Sequence, residues 1–180
     1  IAEPSEIVPT ATAVNVRCEG ESNGSIDLTV TGGVAPYSYI WNTSEVTEDI
    51  SNLTAALYTV TVLDANSCSV TAAQIVNEPV KLQATSVVAH IDCYGGSTGS
   101  ISVKVFGGMT PYIYAWSGLG SSIPTIQNVP SGNYSITVQD ANNCSAKLNI
   151  SISQPQPLSF SYTQTNNSCF GNNGGSIDLS

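Results

Sequence analysis

Apolar and polar side chains alternate along several stretches of this chain. Ile26, Leu28 and Val30 alternate with Ser25, Asp27, Thr29 and Thr31; Tyr58, Val60 and Val62 with Thr59 and Thr61; Leu148, Ile150 and Ile152 with Asn149 and Ser151. Successive side chains of an extended strand point to opposite faces, so each run predicts a strand with one face in a core and the other in water. Turn-forming residues stand between the runs. Gly32-Gly33 ahead of Pro36-Tyr37 offers backbone conformations closed to most residues, and Asp64-Ala-Asn66 offers a turn through Asx side-chain bonding. Strands punctuated by turns, with no helical period, predict an all-β chain of immunoglobulin-like antiparallel β-sandwiches, about six or seven strands to each.

The chain also repeats itself. Cys18, Cys93 and Cys169 are spaced by 75 and then 76 residues, and Pro4, Pro79 and Pro155 each stand 14 residues before one of them. Gly32-Gly33-Val-Ala-Pro36-Tyr37-Ser-Tyr39-Ile-Trp41 returns as Gly107-Gly108-Met-Thr-Pro111-Tyr112-Ile-Tyr114-Ala-Trp116, and Tyr58 to Cys68 returns as Tyr134 to Cys144. The segment Gly175 to Ser180 matches Gly24 to Thr29. These matches predict tandem repeats of about 75 residues: 1–3 the tail of a preceding repeat, 4–78 and 79–154 two complete ones, and 155–180 the start of a third, in an array that continues both ways.

A unit this small buries a modest core, so its one large side chain belongs inside. Trp41 and Trp116 are therefore expected in the two cores, packed against neighbouring strand tyrosines. The alternative is a row of exposed aromatics, with Tyr37, Tyr39, Tyr112 and Tyr114, forming a platform for sugars.

A small core also calls for a staple. The cysteines fall two to a repeat, with Cys169 left over. Self-sufficient units would pair Cys18 with Cys68 and Cys93 with Cys144, whereas Cys68 with Cys93 and Cys144 with Cys169 would tie neighbours together. Four strands between the two cysteines of a unit would put both at one pole, yet an array wants its termini at opposite poles. The two expectations conflict.

Only 9% of residues are charged, against about 25% in an average soluble protein, so Ser, Thr, Asn and Gly make the surface. The net charge is −9, with Arg17, Lys81, Lys104 and Lys147 as the only basic residues, which argues against nucleic acid as a partner. No stretch of about 18 apolar residues predicts membrane insertion, and no export signal precedes Glu3-Pro4.

Candidate chemistry is sparse. His90 is the single histidine and stands where the other copies have Asn15 and Asn166, so it reads as a solvent-facing strand residue. Neither G-x-S-x-G, H-E-x-x-H nor a P-loop is present, and catalysis is not expected. Asp64 and Asp140 are the one acidic position kept in both full repeats, which predicts turn capping rather than a paired-carboxylate site. No Cys/His cluster has zinc spacing. Calcium at the junctions is the remaining cofactor reading, with Glu19, Glu21, Asp64, Glu78 and Asp92 near loops, although Glu78 becomes Gln154 one repeat on.

The unit pattern Cys-x-Gly, Gly-Ser-Ile, Gly-Gly-x-x-Pro-Tyr-x-Tyr-x-Trp and Tyr-x-Val-x-Val-x-Asp-Ala-Asn-x-Cys resembles the SprB repeat of very large surface proteins of gliding and other Bacteroidota. Two departures are Ala56-Leu57 where that family has a Gly before Tyr58, and Ser67 and Asn143 where it has a Gly before Cys. The resemblance implies a structural or adhesive segment of a secreted, outer-membrane-associated cell-surface adhesin, exported by the type IX route and linked to gliding. Its implied partners are neighbouring repeats, surface polysaccharide or the gliding machinery. A carbohydrate-binding module of a secreted enzyme or receptor is the alternative function. Short proline-containing junctions (Glu3-Pro4, Glu78-Pro79, Gln154-Pro155) suit a semi-stiff rod.

Overall fold

A computed structural model describes residues 3–167, 169–171 and 173–180; Ile1 and Ala2, assigned above to the tail of a preceding repeat, lie outside them. The alternating runs form strands as anticipated. In the first copy these are β1 (Val8–Val14), β2 (Gly24–Thr31), β3 (Ser38–Trp41), β4 (Ile50–Leu53), β5 (Ala56–Leu63) and β6 (Ser69–Val76). The second copy repeats them as β7 (Gln83–Ala89), β8 (Gly99–Phe106), β9 (Ile113–Trp116), β10 (Thr125–Val129), β11 (Gly132–Gln139) and β12 (Ser145–Ile152). Residues of the third copy add a hairpin of β13 (Tyr162–Thr165) and β14 (Ser176–Leu179).

Each full copy is a pair of three-stranded antiparallel sheets, in the order β1-β2-β4 and β3-β5-β6, then β7-β8-β10 and β9-β11-β12. This is the immunoglobulin-like sandwich expected. Ile26, Leu28, Trp41, Val60 and Val62 close the first core, while Ile101, Trp116, Ile136 and Val138 close the second. Trp41 is 2% exposed and Trp116 5%, which settles both tryptophans as core residues. Each also meets its polar requirement: the indole Nε1–H donates to the carbonyl of Thr47 at 2.9 Å in one unit and of Ile123 at 2.9 Å in the other.

Tyr58, at the start of β5, packs into the core and donates its hydroxyl to the carbonyl of Thr54 four residues upstream; Tyr134 does the same to Pro130. A tyrosine so placed at the corner leading into this strand is a hallmark of immunoglobulin-like sandwiches.

The count of passes between the cysteines needs correcting. β3 pairs with β5 near one pole (Ser38 with Leu63), and β4 pairs with β2 near the other (Leu53 with Gly24). Both run the same way, so β3 and β4 are two halves of one passage that changes sheet at 42–49. Between Cys18 and Cys68 the chain therefore traverses the unit three times, not four: up β2, down β3 and β4, up β5. An odd number of passes sends the two cysteines to opposite poles. The same parity sends Pro4 and Glu78 to opposite poles, so the conflict in the sequence reading disappears.

The gap left by the sheet change is filled by side chains and turns. β4 reaches β2 only as far as Ile26, so the Leu28 N–H has no strand partner and donates instead to the Asp49 carboxylate at 2.9 Å. In the second unit the carbonyl of Pro124 takes the N–H of Val103.

Candidate functional site: the junction between repeats

Opposite poles make the junction the place where chemistry gathers. Each unit presents two loops there, and side chains latch both. At the far pole the Cys18-Glu-Gly20 loop turns through a bond from Glu21 N–H to the Cys18 carbonyl. Glu78 accepts the N–H of Gly20 at 2.9 Å, and Gln154 accepts that of Gly95 at 2.9 Å. One acceptor oxygen is all this latch requires, so the exchange of Glu78 for Gln154 between copies is tolerated.

At the near pole the carboxylate of Asp64 accepts three backbone N–H groups: Oδ1 those of Asn66 and Cys68, both at 2.9 Å, and Oδ2 that of Val34 at 3.1 Å. Asp140 repeats this with Asn142, Cys144 and Met109, all at 2.9 Å. Each aspartate thus fixes its cysteine turn and ties it to the Gly-Gly loop of the same pole. Gly33 N–H donates to the carbonyl of Ser5, and a Cβ on Gly32 would lie 1.8 Å from the carbonyl oxygen of Glu6 with the backbone at φ +74, so only glycine fits there. Tyr37 and Tyr112 cover these loops, with their hydroxyls donating to the carbonyls of Gly32 and Gly107.

The two kinds of loop meet between the units. Cys18 and Cys144 form a disulfide with a Cα–Cα distance of 5.7 Å, while Cys68 and Cys93 are exposed thiols. This corrects both pairings considered above. Cys18 with Cys68, and Cys93 with Cys144, would each have to span the length of one sandwich, because the members of each pair lie at opposite poles. Cys169 is likewise an exposed thiol, so Cys144 with Cys169 is not made either.

Around the bridge, Asn142 Nδ2 donates to the carbonyl of Arg17 at 3.0 Å and the Lys81 ammonium lies 3.1 Å from the Glu19 carboxylate. The ion pair is solvent-exposed and contributes roughly 0–1 kcal/mol. The covalent bond dominates the junction. Sequence reasoning placed Glu78 and Gln154 at the junctions but missed their role as latches of the glycine loops, and it missed Arg17 and Asn142 altogether; the signal was position in the repeat relative to the two poles, legible only once the passes are counted correctly.

Four of the five carboxylates considered for calcium are engaged by other groups: Glu19 with Lys81, Glu21 with the side-chain amide of Asn23, Asp64 with three N–H groups and Glu78 with Gly20. Among the described residues, no three His, Cys, Asp or Glu side chains gather as metal ligands would. His90 lies just beyond β7, exposed, where Nδ1 accepts the N–H of Ser153 at 3.1 Å. Asn15 makes the equivalent bond from Asn77 N–H at 2.9 Å, so the histidine serves as a backbone acceptor and not a strand residue. Tyr37, Tyr39, Tyr112 and Tyr114 are half-buried against the cores rather than set out as an exposed row.

Burial acts to raise the pKa of Asp64, but its bonds from the N–H groups of Cys68, Val34 and Asn66, with a further one from the Cys68 side chain, outweigh it and hold the carboxyl below its ordinary value of 3.8. A depressed folded value means that the ionised group stabilises the fold in full above pH 3.8, and that this contribution is lost as pH falls through the folded value. The first unit should therefore lose stability on acidification below that point. Asp64→Asn should be less stable at neutral pH and should lose this part of the acid dependence, read as urea midpoints between pH 2 and 7.

Residues 10–46 and 85–121 match the family model described as SprB repeat. No curated protein matches the chain. Among solved structures, the C-terminal 282-residue fragment of intimin, in complex with the intimin-binding domain of the translocated intimin receptor, is 14% identical over 91% of this chain and 67% of that one, with a TM-score of 0.44. The N-terminal eight immunoglobulin domains of Down syndrome cell adhesion molecule isoform 1.30.30 are 13% identical over 83% of this chain and 25% of that one, with a TM-score of 0.41. The N-terminal four immunoglobulin domains of Dscam1 isoform 9.44 are 12% identical over 86% and 47%, with a TM-score of 0.38. This chain spans less than half the length of those last two.

Proposed function

We propose that this chain is a non-catalytic spacer in a secreted cell-surface adhesin, whose repeats hold other parts of the protein away from the cell; the match of residues 10–46 and 85–121 to the SprB-repeat model supports this reading. The observation that carries this is the junction, where Cys18 of one unit is bonded to Cys144 of the next. A bond inside a unit would stabilise a bead; a bond between units also sets their relative placement, which is what a load-bearing rod needs. The units of that rod are 4–78 and 79–154, and 155–180 begins the next. Chain termini at opposite poles let such a rod lengthen with each added repeat.

The disulfide suits an oxidising, extracellular setting. Kinship with the repeat supports outer-membrane association, the type IX export route and a part in surface attachment and gliding. The placement of the tyrosines and tryptophans against the cores favours a spacer over a sugar platform.

Small-angle X-ray scattering tests this reading. The oxidised chain should show one narrow distribution of inter-unit distances, and Cys18→Ser should broaden it. Equally broad distributions for both chains would describe independent beads and remove the rod.

A further inference from the structure

The Cys18–Cys144 bond joins the first cysteine of one repeat to the second cysteine of the next. Carried along by one repeat, the same rule gives Cys93 and the second cysteine of a following copy. Carried back, it gives Cys68 and the first cysteine of a preceding copy.

The structure presents both thiols ready for those bonds. Cys68 sits in a turn fixed by Asp64 as Cys144 is by Asp140, with the same donors at the same positions. Cys93 sits in a loop turned by the bond from Gly96 N–H to its own carbonyl, and latched by Gln154 as the Cys18 loop is by Glu78. Both are exposed, and they occupy the two outer poles of the pair of sandwiches, where neither can reach the other. A shallow cleft lined by Pro4, Ser5, Glu6, Asp64 and Cys68 marks the near pole of the first unit. The corresponding surface of the second unit, with Lys81, Leu82, Asn143 and Cys144, is the one that receives Cys18 and Glu19.

We infer that Cys68 and Cys93 are two further half-sites of one repeating inter-unit staple, each taking the complementary cysteine of another copy of this repeat in the same chain. Every repeat would then be bonded once to the copy before it and once to the copy after it, and none within itself. The bond forms by oxidation of two thiols: an oxidised dithiol or glutathione disulfide accepts the two electrons and is released as two thiols, and the S–S bond replaces the two S–H bonds. This inference deepens the rod reading and rests on it.

The test completes the third repeat. The 180-residue chain is extended after Ser180 by residues 30–78, since Ser180 stands where Thr29 stands in the first copy, with Ser69→Ala in the added segment as a mass label. After oxidation in a glutathione buffer, free thiols are alkylated and peptides are mapped without reduction. The expected map holds Cys18 with Cys144 and Cys93 with the added copy of Cys68, and leaves the original Cys68 and Cys169 alkylated. A second chain, extended instead by residues 105–154, should bond Cys93 to the added copy of Cys144.

A bond at the expected position in either chain supports the inference. Cys93 alkylated in both, or bonded to the original Cys68 or to Cys169, overturns it. If Cys93 stays a thiol while scattering still shows a single inter-unit distance, the staple fails and the rod stands; if the distance distribution is broad with the bond formed, the reverse holds.

Discussion

Cys18→Ser should lower the stability of both units at once. When the first unit unfolds while the second stays folded, the intact bond closes a loop running from Cys18 to the start of the second unit, on the order of 60 residues, and the chain-entropy model gives about 4 kcal/mol for holding it closed. When the second unit unfolds instead, the loop from the end of the first unit to Cys144 is of similar length and the cost is about the same. Removing one sulfur therefore removes a constraint on two denatured ensembles, not one. Hydrogen exchange at the centres of β5 and β11 reads the units separately, because the most protected amides of each sandwich report its own opening. Both should exchange faster in the variant. A bond confined to one unit predicts a change at β5 alone, and that result would return the molecule to independent beads.

The difference between that bond and the pairings first anticipated lies in a short stretch of chain. Alternation placed the strands, and the repeat placed the cores, because both depend on which side chains leave water and that is written residue by residue. Polarity along the sandwich depends instead on how many times the chain crosses it. Four strands do lie between Cys18 and Cys68, as the sequence reading counts, but β3 and β4 run in the same direction in different sheets. Nothing in local periodicity separates a strand that reverses from one that moves sideways and continues. One miscounted pass put Cys18 and Cys68 at the same pole. Read with the right parity, the same cysteine spacing points across the junction.

The aspartates show a similar division. Asp64 and Asp140 were legible as turn-capping residues from Asp-Ala-Asn alone, since an Asx turn is local. Their second oxygens, which reach Val34 and Met109 some 30 residues away in sequence, depend on the fold. So do the bonds of Glu78 and Gln154 to glycines near the start of their own repeats, across separations of 58 and 59 residues. Those contacts exist because β1 runs alongside β6, and β7 alongside β12, bringing the two ends of each cysteine-bearing half together. The junction is thus assembled from residues that carry little signal individually.

Trp41→Ala should act in the opposite manner, severely and on one unit only. The indole is almost wholly buried between the two sheets of the first sandwich, and truncating a buried tryptophan costs about 3–5 kcal/mol through lost transfer energy and the cavity left behind. Its Nε1–H also anchors the Thr47 carbonyl in the segment that carries the chain from β3 to β4, so the sheet change loses a tether together with the core. The whole stability of a domain of this size is roughly 5–15 kcal/mol, so the first unit should become partly unfolded at ordinary temperature. Amides of β5 should lose most of their protection while those of β11, packed around Trp116 in a separate core, keep theirs. If the tryptophans served an exposed sugar-binding face, the same substitution would leave both sets of amides protected and change only affinity for glycans. Protection that survives at β5 in Trp41→Ala would therefore overturn the core assignment, and with it the argument that these aromatics are spent on holding the rod together.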